Sequence, residues 1–207
     1  MVKKTTDLTP KPRSWGLVVV LVLLVLLLGG GLGTYAGSNA LAQSSYSTRI
    51  ANGEALAVVK IPAFGQDYEV PVVEGTDLDD LRQGLGWYIG TSRPGEVGNC
   101  GLAGHRIGWG EPFAHLGDLA VGDEILVIQG GDAFHYLVIT GPTIVPDDYI
   151  TVLAPVPGDT ELRPTKALLT LTTAASLLPS PNRMVVIAEL VHTDSSGAAD
   201  EHDHGPH

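Results

Sequence analysis

The sequence predicts an all-β protein whose strands close into an antiparallel barrel, with only short helices. The apolar runs of the central part are short and often rich in β-branched residues, as in strands. Turn-forming residues such as Val121-Gly122-Asp123 and Gly130-Gly131-Asp132 separate several of these runs. No alternation of strand and long helix is present, so a parallel α/β sheet is not indicated. These features together favour a closed or nearly closed barrel.

Six apolar runs are the predicted strands, and two segments have the pattern of short helices. The strands are predicted at residues 57–61, 68–73, 124–128, 136–139, 167–173 and 184–191. The helices are predicted at residues 77–84 and 111–119.

Charge and cysteine content exclude several classes of function. The net charge is −11, and residues 1–14 carry +3 from Lys3, Lys4, Lys11 and Arg13 against Asp7. The remaining chain is therefore strongly acidic, and it would repel the phosphates of a nucleic acid. The single cysteine excludes an intramolecular disulfide and a zinc site built on several thiolates.

An apolar segment near the start of the chain predicts a transmembrane helix. Residues 16–33 contain no charged or polar side chain, and Trp15 and Tyr35 flank them. As a helix, residues 15–35 span roughly 30 Å, about one hydrocarbon core, and the predicted transmembrane anchor is residues 15–36. The nearest basic residues all precede this segment, so residues 1–14 are expected in the cytoplasm and the rest outside. The alternative is a cleaved signal peptide, because Ala40-Leu41-Ala42 has a small-x-small form.

The remaining chain divides into a linker, one domain and a tail. Residues 37–54 are mostly polar or small and are expected to be a linker. Residues 55–193 are expected to form the barrel, a normal size for one domain. Residues 194–207 have the composition of a disordered tail. The histidines of that tail, His202, His204 and His207, could bind a metal ion weakly, but a solvated tail is favoured.

Two segments carry residue types suited to chemistry. Residues 98–106 read GNCGLAGHR, a short strand that ends near Ala103-Gly104 and presents His105 and Arg106. Residues 168–183 read LLTLTTAASLLPSPNR, a Thr-rich strand followed by a loop, with Arg183 at the start of the next strand. Each segment alone is a weak signal, because a single His or Arg at a strand end is more often structural.

Taken together, these segments resemble the sortase family, and in particular the class E type of high-GC Gram-positive bacteria. The resemblance extends over residues 57–191. The stretch WYIGTSRPGEVGNCGLAGHR at residues 87–106 matches in its Pro-Gly-Glu, Gly-Asn and Ala-Gly-His-Arg elements. The Pro112-Phe113 pair, residues 116–122, and IVPDDYITVLAP at residues 144–155 match as well. The sequence LTLTT at residues 169–173 is similar to the family strand that runs directly into the catalytic cysteine.

The resemblance implies a sortase-type closed antiparallel β-barrel, preceded by one transmembrane helix, that acts on peptides at the cell envelope. In the family, a thiolate attacks the backbone carbonyl of a sorting signal of the LPxTG or LAxTG type, and an amine resolves the thioester. The implied general acid/base is His105, and the implied donor to substrate and oxyanion is Arg183. The implied partners are sorting-signal peptides, the membrane and, for an active enzyme, a cell-wall or pilin amine. No cofactor or metal is implied.

The chain departs from the family at the nucleophile. The position of the catalytic cysteine is Ala174, whose methyl group cannot form a thioester, and Ser176 stands where the family has proline. Cys100 is five residues before His105 on the same predicted strand, so its side chain is expected on the opposite face, in the core. A serine at position 176 would need an activating group that the sequence does not identify.

Three interpretations follow. The first is a sortase-fold protein without transpeptidase activity, which keeps a peptide groove and binds or scaffolds partners at the envelope. The second is an active class E sortase represented by a Cys-to-Ala variant. The third is a structural envelope protein that has lost the groove, which the retained His105 and Arg183 argue against.

Overall fold

Eight strands close into a barrel in the computed structural model, which describes residues 52–177 and 181–195. The strand order around the barrel is β1-β2-β3-β4-β7-β8-β6-β5, and β5 pairs with β1 to close it. The all-β closed barrel predicted from the sequence is confirmed. The strands are β1 Ala57–Lys60, β2 Glu69–Glu74, β3 Leu85–Trp87, β4 Gly98–Ala103, β5 Glu124–Gln129, β6 Asp132–Pro146, β7 Ala167–Ala174 and β8 Asn182–Asp194.

The pairing is mixed and not wholly antiparallel. Strand β2 lies parallel to β3, and β4 lies parallel to β7, while the other neighbouring strands of the described barrel are antiparallel. All six residues of β4 are buried, as in a strand that is covered on both faces. The parallel β4–β7 pair matters for function, because it places the carboxyl ends of both strands at one edge of the barrel.

Both predicted helices are shorter in the structure. The segment predicted at residues 77–84 forms one turn of α-helix, α1, at Leu78–Leu81. The Asp80 carboxylate accepts a hydrogen bond from the Asp77 backbone N–H at 3.0 Å and so caps this turn. The segment predicted at residues 111–119 contains only the 3-10 turn Leu116–Asp118. Further 3-10 turns lie at Pro62–Phe64 and Ile150–Leu153.

The core fills the inside of the barrel with aliphatic and aromatic side chains. Its largest fully buried members include Tyr136 and Phe113. The Tyr136 hydroxyl accepts a hydrogen bond of 2.7 Å from the backbone N–H of Gly95, which satisfies this buried polar atom. Cys100 has no exposed surface and belongs to the same cluster, as the sequence predicted.

The predictions for the chain ends fall largely outside the described residues. These are the cytoplasmic tail 1–14, the transmembrane segment 15–36, most of the linker 37–54 and the tail from residue 196 onward. Strand β8 reaches Asp194, the first residue of the predicted tail. Over residues 52–177 and 181–195, no helix is long and apolar enough to cross a membrane.

Candidate active site

The parallel pair of β4 and β7 brings the two segments singled out from the sequence to one edge of the barrel. Ala103, the last residue of β4, pairs with Thr172 in β7. Beyond the strand, the Gly104 backbone N–H donates to the Thr172 carbonyl at 3.1 Å. His105 lies two residues beyond the end of β4, and Ala174 is the last residue of β7, so both residues are at the same edge of the barrel.

Strand β8 adds Arg183 to this edge. Strands β7 and β8 are antiparallel, and their register makes Ala174 the direct partner of Arg183. Both residues are exposed at the strand ends. A groove with a volume of about 330 Å³ opens over them. Its lining consists of Thr76, Leu78, Leu81, Tyr88, Ala103, Gly104, His105, Arg106, Ala174 and Arg183. The structure therefore brings all three predicted site residues to one groove.

Arg106 connects the two halves of the site, a role that the sequence did not reveal. Its Nη1 atom donates to the Ala174 carbonyl at 3.2 Å and to the Ala175 carbonyl at 2.5 Å. A guanidinium can donate in several directions at once, so this one side chain joins the segment after His105 to the end of β7. The only sequence signal for this contact is the position of Arg106 next to the histidine.

Buried threonines of β7 fix this strand against its neighbours. The Thr173 hydroxyl donates to the Gly104 carbonyl at 2.8 Å. The Thr172 hydroxyl shares a hydrogen bond of 3.0 Å with the hydroxyl of Tyr88, a residue that lines the groove. Hydrogen bonds to the Gly104 carbonyl and to the Tyr88 hydroxyl therefore hold the end of β7 that carries Ala174.

His105 stands in a partly dehydrated position. Its Nε2 atom is buried and has no hydrogen-bond partner, although part of the ring is exposed. Burial, followed by the positive charge of Arg82, lowers the pKa of His105. The lowered pKa favours the neutral imidazole at pH 7.

No thiol is present in the groove. Position 174 carries a methyl group, and the one cysteine of the chain is Cys100 in the barrel core. Burial raises the pKa of the Cys100 thiol to about 12. The positive charge of Arg93 lowers this pKa, but by less than burial raises it. A buried thiol of such high pKa is inert as a nucleophile. Within the described residues, no three His, Cys, Asp or Glu side chains are arranged to hold a metal ion.

Comparisons with known proteins agree with this arrangement. The family described as Sortase, sortase domain, matches residues 59–191. Sortase SrtE1 of Streptomyces coelicolor is 32% identical over 146 residues, which cover 67% of this chain and 41% of that protein. Sortase D of Bacillus subtilis is 33% identical over 107 residues, 52% of each chain. The chain thus spans about half, or less, of the length of these curated relatives.

Solved structures show the same barrel. Sortase E from Streptomyces avermitilis superposes with a TM-score of 0.62 at 36% identity, over 70% of this chain and 93% of that one. Sortase E1 from Streptomyces coelicolor, solved with a tripeptide in the active site, gives a TM-score of 0.61 at 32% identity, over 67% and 89% of the two chains. This chain belongs to the sortase family, whose barrel and transpeptidase fold it has. Within that family it is of the sortase E-like type.

Proposed function

We propose that this chain is a membrane-anchored sortase-family protein that binds sorting-signal peptides at the cell envelope and, with Ala174 in place of a nucleophile, does not transfer them. The observation that carries the proposal is the groove itself. It retains His105 and Arg183 on either side of position 174, and only the thiol is missing.

The residues around position 174 have the chemistry that acyl transfer requires. A sulfur at this position would lie beside the Arg183 guanidinium, which can donate hydrogen bonds to a carbonyl oxygen as it becomes an oxyanion. The His105 imidazole would take the proton of the thiol and return it to the leaving amine. In the chain as given, these two groups can bind and polarise a peptide, but no covalent bond can form.

The proposed peptide class is that of the family. Sorting signals of the LPxTG or LAxTG type carry leucine and then proline or alanine, followed by one variable residue and a threonine. The wall formed by Leu78, Leu81, Tyr88 and Ala103 suits the apolar residues of such a peptide. The strongly acidic body remains a poor partner for nucleic acid.

Activity is tested with a fluorogenic sorting peptide and an amine acceptor. We expect no turnover by the chain as given. Turnover that persists in a Cys100→Ala variant would contradict the proposal, and turnover that disappears in this variant would identify Cys100 as the nucleophile.

The catalytic capacity of the groove is tested by restoring the thiol. In a Cys100→Ala background, Ala174→Cys is expected to form a covalent adduct with a thiol-reactive sorting-peptide mimic, detected by intact-mass spectrometry. A thiol at position 174 that reacts with a general alkylating agent, but not with the peptide mimic, would show that the peptide groove has been lost. This outcome would favour a purely structural role.

A second candidate shares the fold and the groove. The intact hydrogen bonds around position 174 also suit an active sortase E-like enzyme whose cysteine has been replaced. The codon for position 174 in the encoding genomic DNA separates the two: an alanine codon supports the non-catalytic protein, and a cysteine codon supports the enzyme.

Anchoring in the membrane is supported by the apolar segment 15–36 and by the basic residues that precede it. The barrel would then lie outside the membrane, with residues 1–14 in the cytoplasm. Protease added to intact, wall-stripped cells should digest the chain from about residue 37 onward. A barrel that is protected in intact cells but digested after lysis would refute this topology.

A further inference from the structure

The groove over Ala174 is a positively charged site in an acidic protein. Its basic lining residues are His105, Arg106 and Arg183, and its lining contains no Asp or Glu. The chain as a whole has a net charge of −11. A basic groove in an acidic chain favours a small anion that enters the groove over a polyanion that lies across the surface.

The positive charge of the groove is not neutralised by the protein where the structure describes it. Over residues 52–177 and 181–195, no carboxylate lies within ion-pair distance of Arg106 or Arg183. Asp147 lines the adjoining pocket on the other side of Arg183, without forming an ion pair with it. Arg106 uses Nη1 for the two carbonyls of residues 174 and 175, which leaves other N–H donors of its guanidinium for a ligand.

With Ala174 in place of a thiol, a different group must neutralise the positive charge of the groove. An ionised cysteine at position 174 would itself supply a negative charge between His105 and Arg183. A methyl group supplies none and leaves more room, so the negative charge must come from the ligand. The buried, unpartnered Nε2 atom of His105 is a further hydrogen-bonding group that a ligand in the groove would satisfy.

We infer that the groove binds peptides that end in a free carboxylate at the position of the sorting-signal threonine, in preference to the uncleaved internal sequence. The carboxylate would lie over Ala174, between Arg183 and Arg106, and the preceding side chains would pack on Leu78 and Leu81. A volume of about 330 Å³ accommodates a few residues of peptide and not a folded partner. This inference rests on the proposed peptide groove and gives it a ligand: the hydrolysed acyl end of a sorting signal.

The test compares three fluorescent peptides by equilibrium anisotropy with the full chain. One ends in Leu-Ala-Ser-Thr with a free carboxylate, the second is its C-terminal amide, and the third continues past the threonine with glycine. A charge-assisted pair with an arginine should make the free acid bind about 10-fold or more tightly than the amide. The negative net charge of the chain repels the free-acid peptide more than the amide. A preference for the acid therefore cannot come from long-range electrostatic attraction.

Matched variants locate the effect. Arg183→Gln is expected to remove the preference for the acid, whereas Arg163→Gln, the same charge change at an exposed arginine outside the groove, should keep it. Ala174→Asp places a carboxylate in the groove and should remove the preference, while the neutral and equally large Ala174→Asn should retain more of it.

The outcomes separate this inference from the proposed function. Equal binding of acid and amide would overturn the carboxylate preference and leave the peptide groove standing. Absence of binding by all three peptides would overturn both. Inorganic phosphate and the unlabelled free-acid peptide are compared as competitors of the labelled free-acid peptide. If phosphate displaces it at the same concentration as the unlabelled peptide does, the site binds any anion, and the inference is overturned.

Discussion

Asn99 is expected to be among the most sensitive positions for stability, because its side chain joins three parts of the barrel. It lies in β4 with 1% of its surface exposed. Its Nδ2 atom donates to the carbonyls of Val152 and Ala154, each at 3.0 Å, and its Oδ1 atom accepts from the Thr170 hydroxyl at 2.7 Å. Strands β4 and β7 and the turn Ile150–Leu153 are thereby held together.

Truncation of this side chain removes the hydrogen bonds of three polar partners, of which Thr170 and the Val152 carbonyl are buried and the Ala154 carbonyl is partly buried. An ordinary hydrogen bond contributes about 1 kcal/mol net, and an unsatisfied buried partner costs about 1–3 kcal/mol. Entry of water into the space left by the amide would limit the total, so we expect Asn99→Ala to lower the free energy of unfolding by about 3 kcal/mol. For a chain of this size, such a loss corresponds to a decrease in Tm of roughly 6–12 °C.

Urea and thermal unfolding of the purified protein measure this effect, with the exposed Asn52→Ala as the control. Asn99→Asp gives a sharper test, because it keeps the shape and the acceptor for Thr170 but replaces the donor to the two carbonyls. Near neutral pH it should destabilise at least as much as Asn99→Ala. A loss below about 1 kcal/mol in both variants would refute the three-way connection.

Two further predictions concern the core. Burial raises the pKa of Cys100 to about 12. Iodoacetamide at neutral pH should therefore label the native protein at least ~100-fold more slowly than the urea-unfolded chain. Similar labelling rates in the two states would show that the thiol is not buried. Gly95 has a φ of +83°, and a Cβ there would collide with the Phe134 ring. Gly95→Ala should therefore destabilise by about 2 kcal/mol, and clearly more than Gly122→Ala, which has a similar φ of +96° but open space around it.

The strands that could be predicted from the sequence are those with a continuous β-branched run. The predicted strand at residues 167–173 differs from the observed Ala167–Ala174 by one residue. Strand β3, Leu85–Trp87, has three residues with a glycine in the middle and is too short for a periodic signal. Strand β6 continues through Gly141-Pro142, which reads as a strand end in sequence, because register shifts against β8 accommodate these residues.

The residues of the site could be predicted from the sequence, but the side-chain contacts between them could not. The placement of His105, Ala174 and Arg183 at one groove followed from the family resemblance, since strand order and register are properties of the fold. The contact of Arg106 with the carbonyls of residues 174 and 175 depends on where one long side chain extends across the groove. Periodicity and motif spacing carry no information of that kind. The same holds for the hydrogen bond between Tyr88 and Thr172, which are far apart in sequence.

His135, outside the groove, and His105, inside it, should make the free energy of unfolding depend on pH in opposite directions. His135 lies between the Glu124 carboxylate, at 2.7 Å from Nδ1, and the Asp194 carboxylate, at 3.1 Å from Nε2. The hydrogen bond to Glu124, and secondarily that to Asp194, raises the pKa of His135. A raised pKa in the folded state stabilises the protein below the ordinary histidine pKa, and this contribution is lost as the pH rises through the folded value.

His105 should make the stability depend on pH in the opposite direction. Its pKa is lowered by burial and by the charge of Arg82, so protonation favours the unfolded chain. Its contribution is fully present above the ordinary histidine pKa and is lost as the pH falls. We expect His135→Gln to lose more stability at pH 5.5 than at pH 8.5, because the imidazolium that joins β5, β6 and β8 is absent. His105→Gln should gain stability relative to the parent as the pH falls over the same interval. Urea unfolding of the three proteins at both pH values measures the two differences, and a variant whose difference from the parent does not change with pH would refute the environment assigned to that histidine.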